Sequence, residues 1–137
     1  MADAKTGRCQ CGAVTFTTTL KKDDIGACHC SMCRRISAGP FIAVDAASLD
    51  FADGAPVTVY DSSEWATRSF CARCGTTLAW RSRDGAMIEL NVFTLDEPPA
   101  VPLSTEIFID QKPDTYAFAG DTHKMTGAEV MALAGGQ

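Results

Sequence analysis

"GRCQCGAVTF" (residues 7–16) sets two cysteines one residue apart, closes them with a glycine, and runs on into Val, Thr and Phe. Its second half continues as "AVTFTTTL" (13–20), whose partial alternation of apolar and polar residues reads as a β-strand. Its first half reads as a ligand pair. In an extended segment residues i and i+2 project from one face, so Cys9 and Cys11 can offer both sulfurs to one ion. Further along, "CARCG" (71–75) ends in glycine in the same way, with its cysteines spaced as C-x-x-C in a tight turn. Gly12 and Gly75 can take the positive φ that folds amide N–H groups back toward thiolate sulfurs. Cys9, Cys11, Cys71 and Cys74 are therefore assigned to one closed, structural zinc site, coupled to folding and stapling distant chain segments.

Three of the seven cysteines remain, all inside "GACHCSMCRR" (26–35). Three protein ligands with a fourth position open are what a catalytic zinc site supplies, so Cys28, Cys30 and Cys33 read as a second, open and labile zinc site. Two other readings stay open. The three cysteines could form a second structural site completed by His29, His123 or a carboxylate, or a disulfide-forming redox group. His29 sits between two of the cysteines, so on a strand it faces away from the metal. Three thiolates around Zn²⁺ sum to about −1. Arg34 and Arg35 follow at once and can offset that charge or bind an anionic substrate; alternatively they are two solvated arginines.

The bulk properties bound the class. A chain of 137 residues fits one domain spanning 1–137, with ordinary globular composition. A net charge of −5 and a pI near 4.8 argue against a nucleic-acid or membrane-surface binder. No apolar run is long enough to span a bilayer, and "MADAKTGRCQ" lacks the apolar stretch of a secretory signal. The expected location is the cytoplasm, where thiols stay reduced and clustered cysteines point to metal or redox chemistry.

Further strand candidates are "PFIAV" (40–44), "PVTVYD" (56–61), "TTLAWRS" (76–82), "MIELNVF" (87–93) and "TEIFID" (105–110), separated by turn signals such as "ADGAP" and "DEPPAVP". Short strands at this spacing predict a mainly β, antiparallel domain. "CRRISAG" (33–39) reads as a short helical turn ending at Gly39. A short C-terminal helix is expected after Thr126, with Glu129 completing a capping box and Gly135 as the stop.

Four blocks together, "GRCQCGAVTF", "CHCSMCRRISAG" (28–39), "RSFCARCGTTLAW" (68–80) and "MIELNVFTLDEP" (87–98), resemble the glutathione-dependent formaldehyde-activating enzyme family, whose domain also occurs in centromere protein V. The resemblance covers about residues 6–120. It implies the β-tent fold, a structural zinc at Cys9, Cys11, Cys71 and Cys74, and a catalytic zinc at Cys28, Cys30 and Cys33. The activity it implies is that of S-(hydroxymethyl)glutathione synthase, a carbon–sulfur lyase joining glutathione reversibly to formaldehyde or a related small aldehyde. Family members commonly carry a His before the "IF" of the last block and a Trp after its Lys-containing segment; here Glu106 and Tyr116 stand near those places.

Elementary chemistry agrees. A thiol attacks only as thiolate, and coordination to zinc deprotonates it. An electron-rich three-thiolate zinc is a poor Lewis acid, so activation of the incoming thiol is favoured over carbonyl polarisation. Arg34 and Arg35 are the candidate anchors for glutathione carboxylates, with Gly39 letting a ligand backbone approach. Arg68 and Lys112 are further cations, Arg68 reading better as a fold-stabilising residue and Phe41 as a core aromatic. Competing with the enzyme are a non-catalytic zinc-stabilised binding module and a thiol redox or metal-buffer protein.

Overall fold

The computed structural model describes residues 3–134. The block "GRCQCGAVTF" folds as a hairpin. Strand β1 (Ala4–Arg8) pairs antiparallel with β2 (Thr15–Cys28), Gly7 standing opposite Phe16. The Cys9 amide donates to the Val14 carbonyl at 3.0 Å and continues the pairing into the cysteine turn. The remaining strands are β3 (Phe41–Phe51), β4 (Val57–Tyr60), β5 (Ala66–Cys71), β6 (Thr77–Ser82), β7 (Ile88–Asn91), β8 (Leu103–Ile107) and β9 (His123–Met125). Two helices, α1 (Ser31–Ser37) and α2 (Gly127–Leu133), complete a mainly β chain with a short C-terminal helix, as expected.

The chain divides into two compact units: one runs to Asp23 and resumes over Ala43–Ala100, the other holds Asp24–Ile42 and everything from Val101. Strands of the first unit follow the order β4-β5-β6-β7-β3-β2, with β1 added on β2. The pairs β1–β2, β3–β7, β4–β5, β5–β6 and β6–β7 are antiparallel. Period-two alternation builds the core here. Ile88 and Leu90 of β7 point inward, with Ala46 and Val44 opposite them on β3 and Ala79 opposite Leu90 on β6. Each large apolar side chain buried in this way contributes about 1.5–3 kcal/mol.

In the second unit the antiparallel expectation does not hold. The end of β2 pairs parallel with β8, placing Gly26 opposite Thr105 and Cys28 opposite Ile107, and β9 pairs parallel with β8. Parallel neighbours need a long connection rather than a hairpin. Between β8 and β9 that connection is the segment 108–122, which returns Tyr116 and Phe118 to the His29 ring.

Helix α1 begins earlier than expected, because Cys30 serves as its N-cap through the thiol, which accepts from the Cys33 amide at 3.4 Å. Its left-handed cap falls on Ala38 (φ 58°) rather than on Gly39. At α2 the capping box forms as expected: Thr126 Oγ1 accepts the Glu129 amide and Glu129 Oε1 accepts the Thr126 amide. Gly135, the expected stop, lies outside the described residues.

Candidate metal centres and a buried histidine

Cys9, Cys11, Cys71 and Cys74 converge in the first unit, all four sulfurs within 4.8 Å of one another. Two pairs lie at 3.6 Å (Cys9–Cys11) and 3.9 Å (Cys11–Cys71), close to the spacing of about 3.8 Å that tetrahedral zinc with 2.3 Å bonds requires. Cys9 and Cys11 do not lie on an extended strand as expected. Both pairs sit in turns, where the Gly12 amide donates to the Cys9 carbonyl and the Gly75 amide to the Cys71 carbonyl. Gly12 and Gly75 both have φ 81°, the conformation that closes each turn without a Cβ clash. Amides then point at sulfur: Val14 N to Cys9, Ala13 N to Cys11, and Arg73 N and Cys74 N to Cys71, at 3.3–3.5 Å. Gln10 N donates to Thr76 Oγ1 at 3.0 Å and ties one turn to the other. The Thr76 hydroxyl, beside Cys74 Sγ, brings that exposed thiol down to about 5. Cys9 and Cys71, in contrast, are part of an apolar cluster with Val14 and Leu78.

Cys28, Cys30 and Cys33 form the second cluster, in the second unit, with sulfurs again within 4.8 Å. They come from the end of β2, the N-cap of α1 and its first turn. Hydrogen bonding with Cys30 and Cys33, then burial, drives the Cys28 thiol far up. Three thiols this close resist ionising together unless a cation joins them. The residues of both clusters thus fit a thiophilic metal ion, by donor chemistry and by convergence.

His29, between Cys28 and Cys30, is fully buried and is no ligand: both ring nitrogens are engaged elsewhere. Nε2 lies 2.8 Å from Glu106 Oε1 on β8, and Nδ1 lies 2.8 Å from the Tyr116 hydroxyl. Thr122 Oγ1 donates to Glu106 Oε2, and Lys124 Nζ stands 3.7 Å from that oxygen. Burial pushes the Glu106 carboxyl up, but the Thr122 and His29 hydrogen bonds outweigh it and hold the group below the usual range. As an acceptor-only carboxylate, Glu106 accepts a hydrogen bond from Nε2, and the Tyr116 hydroxyl pairs with Nδ1. The backbone is held too: the His29 amide donates to the Ile107 carbonyl at 3.1 Å, and Arg34 Nε donates to the His29 carbonyl at 2.9 Å.

The sequence model of a family described as glutathione-dependent formaldehyde-activating enzyme matches residues 4–111. The chain belongs to that family. It is similar to an uncharacterized lyase of Schizosaccharomyces pombe, 32% identical over 127 residues that cover 91% of this chain and 93% of the relative. It is also similar to a Rhodobacter sphaeroides protein of known crystal structure, at 31% identity and a TM-score of 0.59, over 71% of this chain and 90% of that one.

Against this family background the other singled-out residues sort by unit. Arg34 is half-buried and committed in part to the His29 carbonyl, while Arg35 is exposed on α1. Gly39 follows α1 with open space where a Cβ would stand, and its amide donates to the Arg34 carbonyl at 3.1 Å. Lys112 Nζ lies 5.2 Å from the Tyr116 ring centre in the same unit. Arg68 belongs to the first unit. It is buried on β5 between Tyr60 of β4 and Trp80 of β6, which suits a fold-stabilising role. Phe41 is a buried core residue, and His123 is exposed on β9. The buried partners of His29, Glu106 and Tyr116, lie 77 and 87 positions away in sequence and carry no local signal. No described helix is long and apolar enough to cross a membrane.

Proposed function

We propose that the protein is a zinc-dependent carbon–sulfur lyase of the S-(hydroxymethyl)glutathione synthase type, joining glutathione reversibly to formaldehyde or a related small aldehyde. The observation that carries this reading is the partition of the seven thiols into a set of four and a set of three, in a member of this family. In the proposal Cys9, Cys11, Cys71 and Cys74 hold a structural zinc, and Cys28, Cys30 and Cys33 hold a labile one with a position left for substrate. Bound there, the ion would keep an incoming thiol in its reactive thiolate form at neutral pH.

The reaction forms one carbon–sulfur bond between the thiol sulfur and the aldehyde carbon, and the thiol proton ends on the aldehyde oxygen. The chain's own residues supply orientation and charge. Arg34 holds the main chain between Cys28 and Cys30 and, with Arg35, offsets the negative thiolate cluster and receives the substrate carboxylates. Gly39 leaves space for a ligand backbone. The reading assigns the protein to the cytoplasm, where all seven cysteines stay free.

The test combines metal counting with turnover. Two zinc ions per chain, one released readily, together with accelerated adduct formation from glutathione and formaldehyde followed by NMR, are the expected results. One zinc with three reactive thiols would point to a redox protein. Two inert zincs with no turnover would point to a binding module.

A further inference from the structure

The residue between Cys28 and Cys30 is held at its amide, its carbonyl and its ring. His29 is 0% exposed, its amide and its ring are both tied to β8, and its carbonyl is held by Arg34. In an extended segment the ring of the central residue points away from the flanking side chains. Fixing the ring and the main chain of His29 therefore fixes the directions in which Cys28 and Cys30 leave the backbone. The two residues that grip the ring, Glu106 and Tyr116, come from β8 and from the connection that follows it. Glu106 is itself held by Thr122, close to β9, so the carboxylate that grips the imidazole is braced in turn.

We propose that His29, Glu106 and Tyr116 form a positioning triad that presets the Cys28–Cys30 spacing and so sets how tightly the second cluster holds its metal ion. The triad touches no substrate and donates no ligand; it acts through the main chain of the Cys28–Cys30 segment. This rests on the reading of the three cysteines as a zinc site. It adds that Glu106 and Tyr116 act together: a carboxylate accepts at Nε2, and a phenol pairs with Nδ1. Outer-shell partners of metal ligands commonly change affinity by about tenfold to a hundredfold when removed.

Zinc release from the fully loaded protein to a chromogenic chelator tests this without reference to activity. The four-cysteine cluster provides an internal control. Glu106→Leu, which strands the Nε2 proton, should speed release from the second cluster by about tenfold to a hundredfold and leave the slow phase of the first unchanged. Glu106→Gln retains an oxygen acceptor and should restore most of the slow release. Tyr116→Phe should accelerate the same phase by a smaller factor. With cobalt in place of zinc, the visible bands of the second cluster should shift in Glu106→Leu and not in Glu106→Gln. Unchanged release from the second cluster in folded Glu106→Leu would overturn the proposal, as would equal acceleration of both phases, which marks general loosening. If Glu106→Leu fails to fold, unchanged release in Tyr116→Phe overturns it. Wild-type protein that holds two zincs but makes no thiol–aldehyde adduct would refute the proposed function and leave the triad standing.

Discussion

Gly7 and Phe16 face each other across β1 and β2, and the Phe16 ring occupies the space in which a Cβ of residue 7 would stand. The Thr94 carbonyl closes that space from another side, where Leu95 makes an isolated antiparallel bridge to Gly7. The glycine that opens the cysteine hairpin is therefore a packing requirement. An aromatic ring laid over a cross-strand glycine also covers its bare backbone and pins the register. Gly7→Ala should cost at least about 3 kcal/mol, the upper range for overpacking, because one neighbour is main chain and cannot rotate away. Urea denaturation with an unchanged midpoint would contradict this.

The two cysteine clusters should differ in what they do for folding. Cys71 is fully buried and packs with Val14 and Leu78, so its sulfur is at once a proposed ligand and a core atom. Structural zinc contributes about 10 kcal/mol or more, comparable with the whole stability of a domain. Cys71→Ser is expected to aggregate or fail to fold. Cys30→Ser should fold, retain one zinc and lose the labile one. Equal damage from both substitutions, read by circular dichroism and metal content, would refute the division into four and three.

Stability should fall with rising pH through the pair Asp45 and Glu89, which stand opposite each other in β3 and β7. Burial, then the hydrogen bond with Asp45, raises Glu89 from 4.5 to about 9, and the same bond lowers Asp45 beside Lys22. The folded pair thus keeps a proton on Glu89. The unfolded chain gives that proton up near pH 4.5, so between that value and about 9 the folded state binds more protons and loses stability as pH rises. The contribution of Asp45 has the opposite sign, but it is lost only below about pH 4, outside this window. Glu89→Gln is neutral throughout. It should exceed wild type by on the order of 1–3 kcal/mol at pH 8.5, with the difference shrinking toward pH 5. A difference independent of pH would show that no proton is shared.

How much of this was legible in the sequence depended on how local each cause was. The positive φ of Gly12 and Gly75, the tight turn at Cys71–Cys74, the capping box at Thr126 and the alternation in "MIELNVF" are set by residues within a few positions of each other and were readable, whereas Cys9 and Cys11, expected on an extended segment, sit in a turn. Strand β5 was missed, because its "ATRSFC" buries Arg68 and Ser69 beside apolar residues and so breaks the alternation. The second half of β2 was also missed. Its "KKDD" has no apolar alternation yet forms an exposed stretch of strand. The parallel pairing of β2 with β8 joins distant segments, and the grip on His29 depends on residues 77 and 87 positions away, which no local pattern encodes.

The arginines after the second cluster should separate into two roles. Glutathione carries two carboxylates and one ammonium, a net charge of about −1 before its thiol ionises, and the loaded three-thiolate centre is also about −1. Cations must reverse the field there. Arg35 is exposed, so its contribution is screened and modest. Arg35→Gln is expected to weaken glutathione binding about threefold to tenfold, less at high salt, with zinc content and Tm unchanged. Arg34 is half-buried and its Nε also holds the His29 carbonyl. Losing a charge-assisted hydrogen bond costs about 1.5–3 kcal/mol, roughly tenfold to a hundredfold in affinity. Arg34→Gln should therefore weaken glutathione by that order and also speed zinc release from the second cluster. Calorimetry at two salt concentrations, with metal content measured on the same samples, distinguishes the two effects. If the double variant binds glutathione as tightly as wild type, neither arginine is the anchor. The carboxylate would then fall to Lys112, whose ammonium lies over the Tyr116 ring in the same unit.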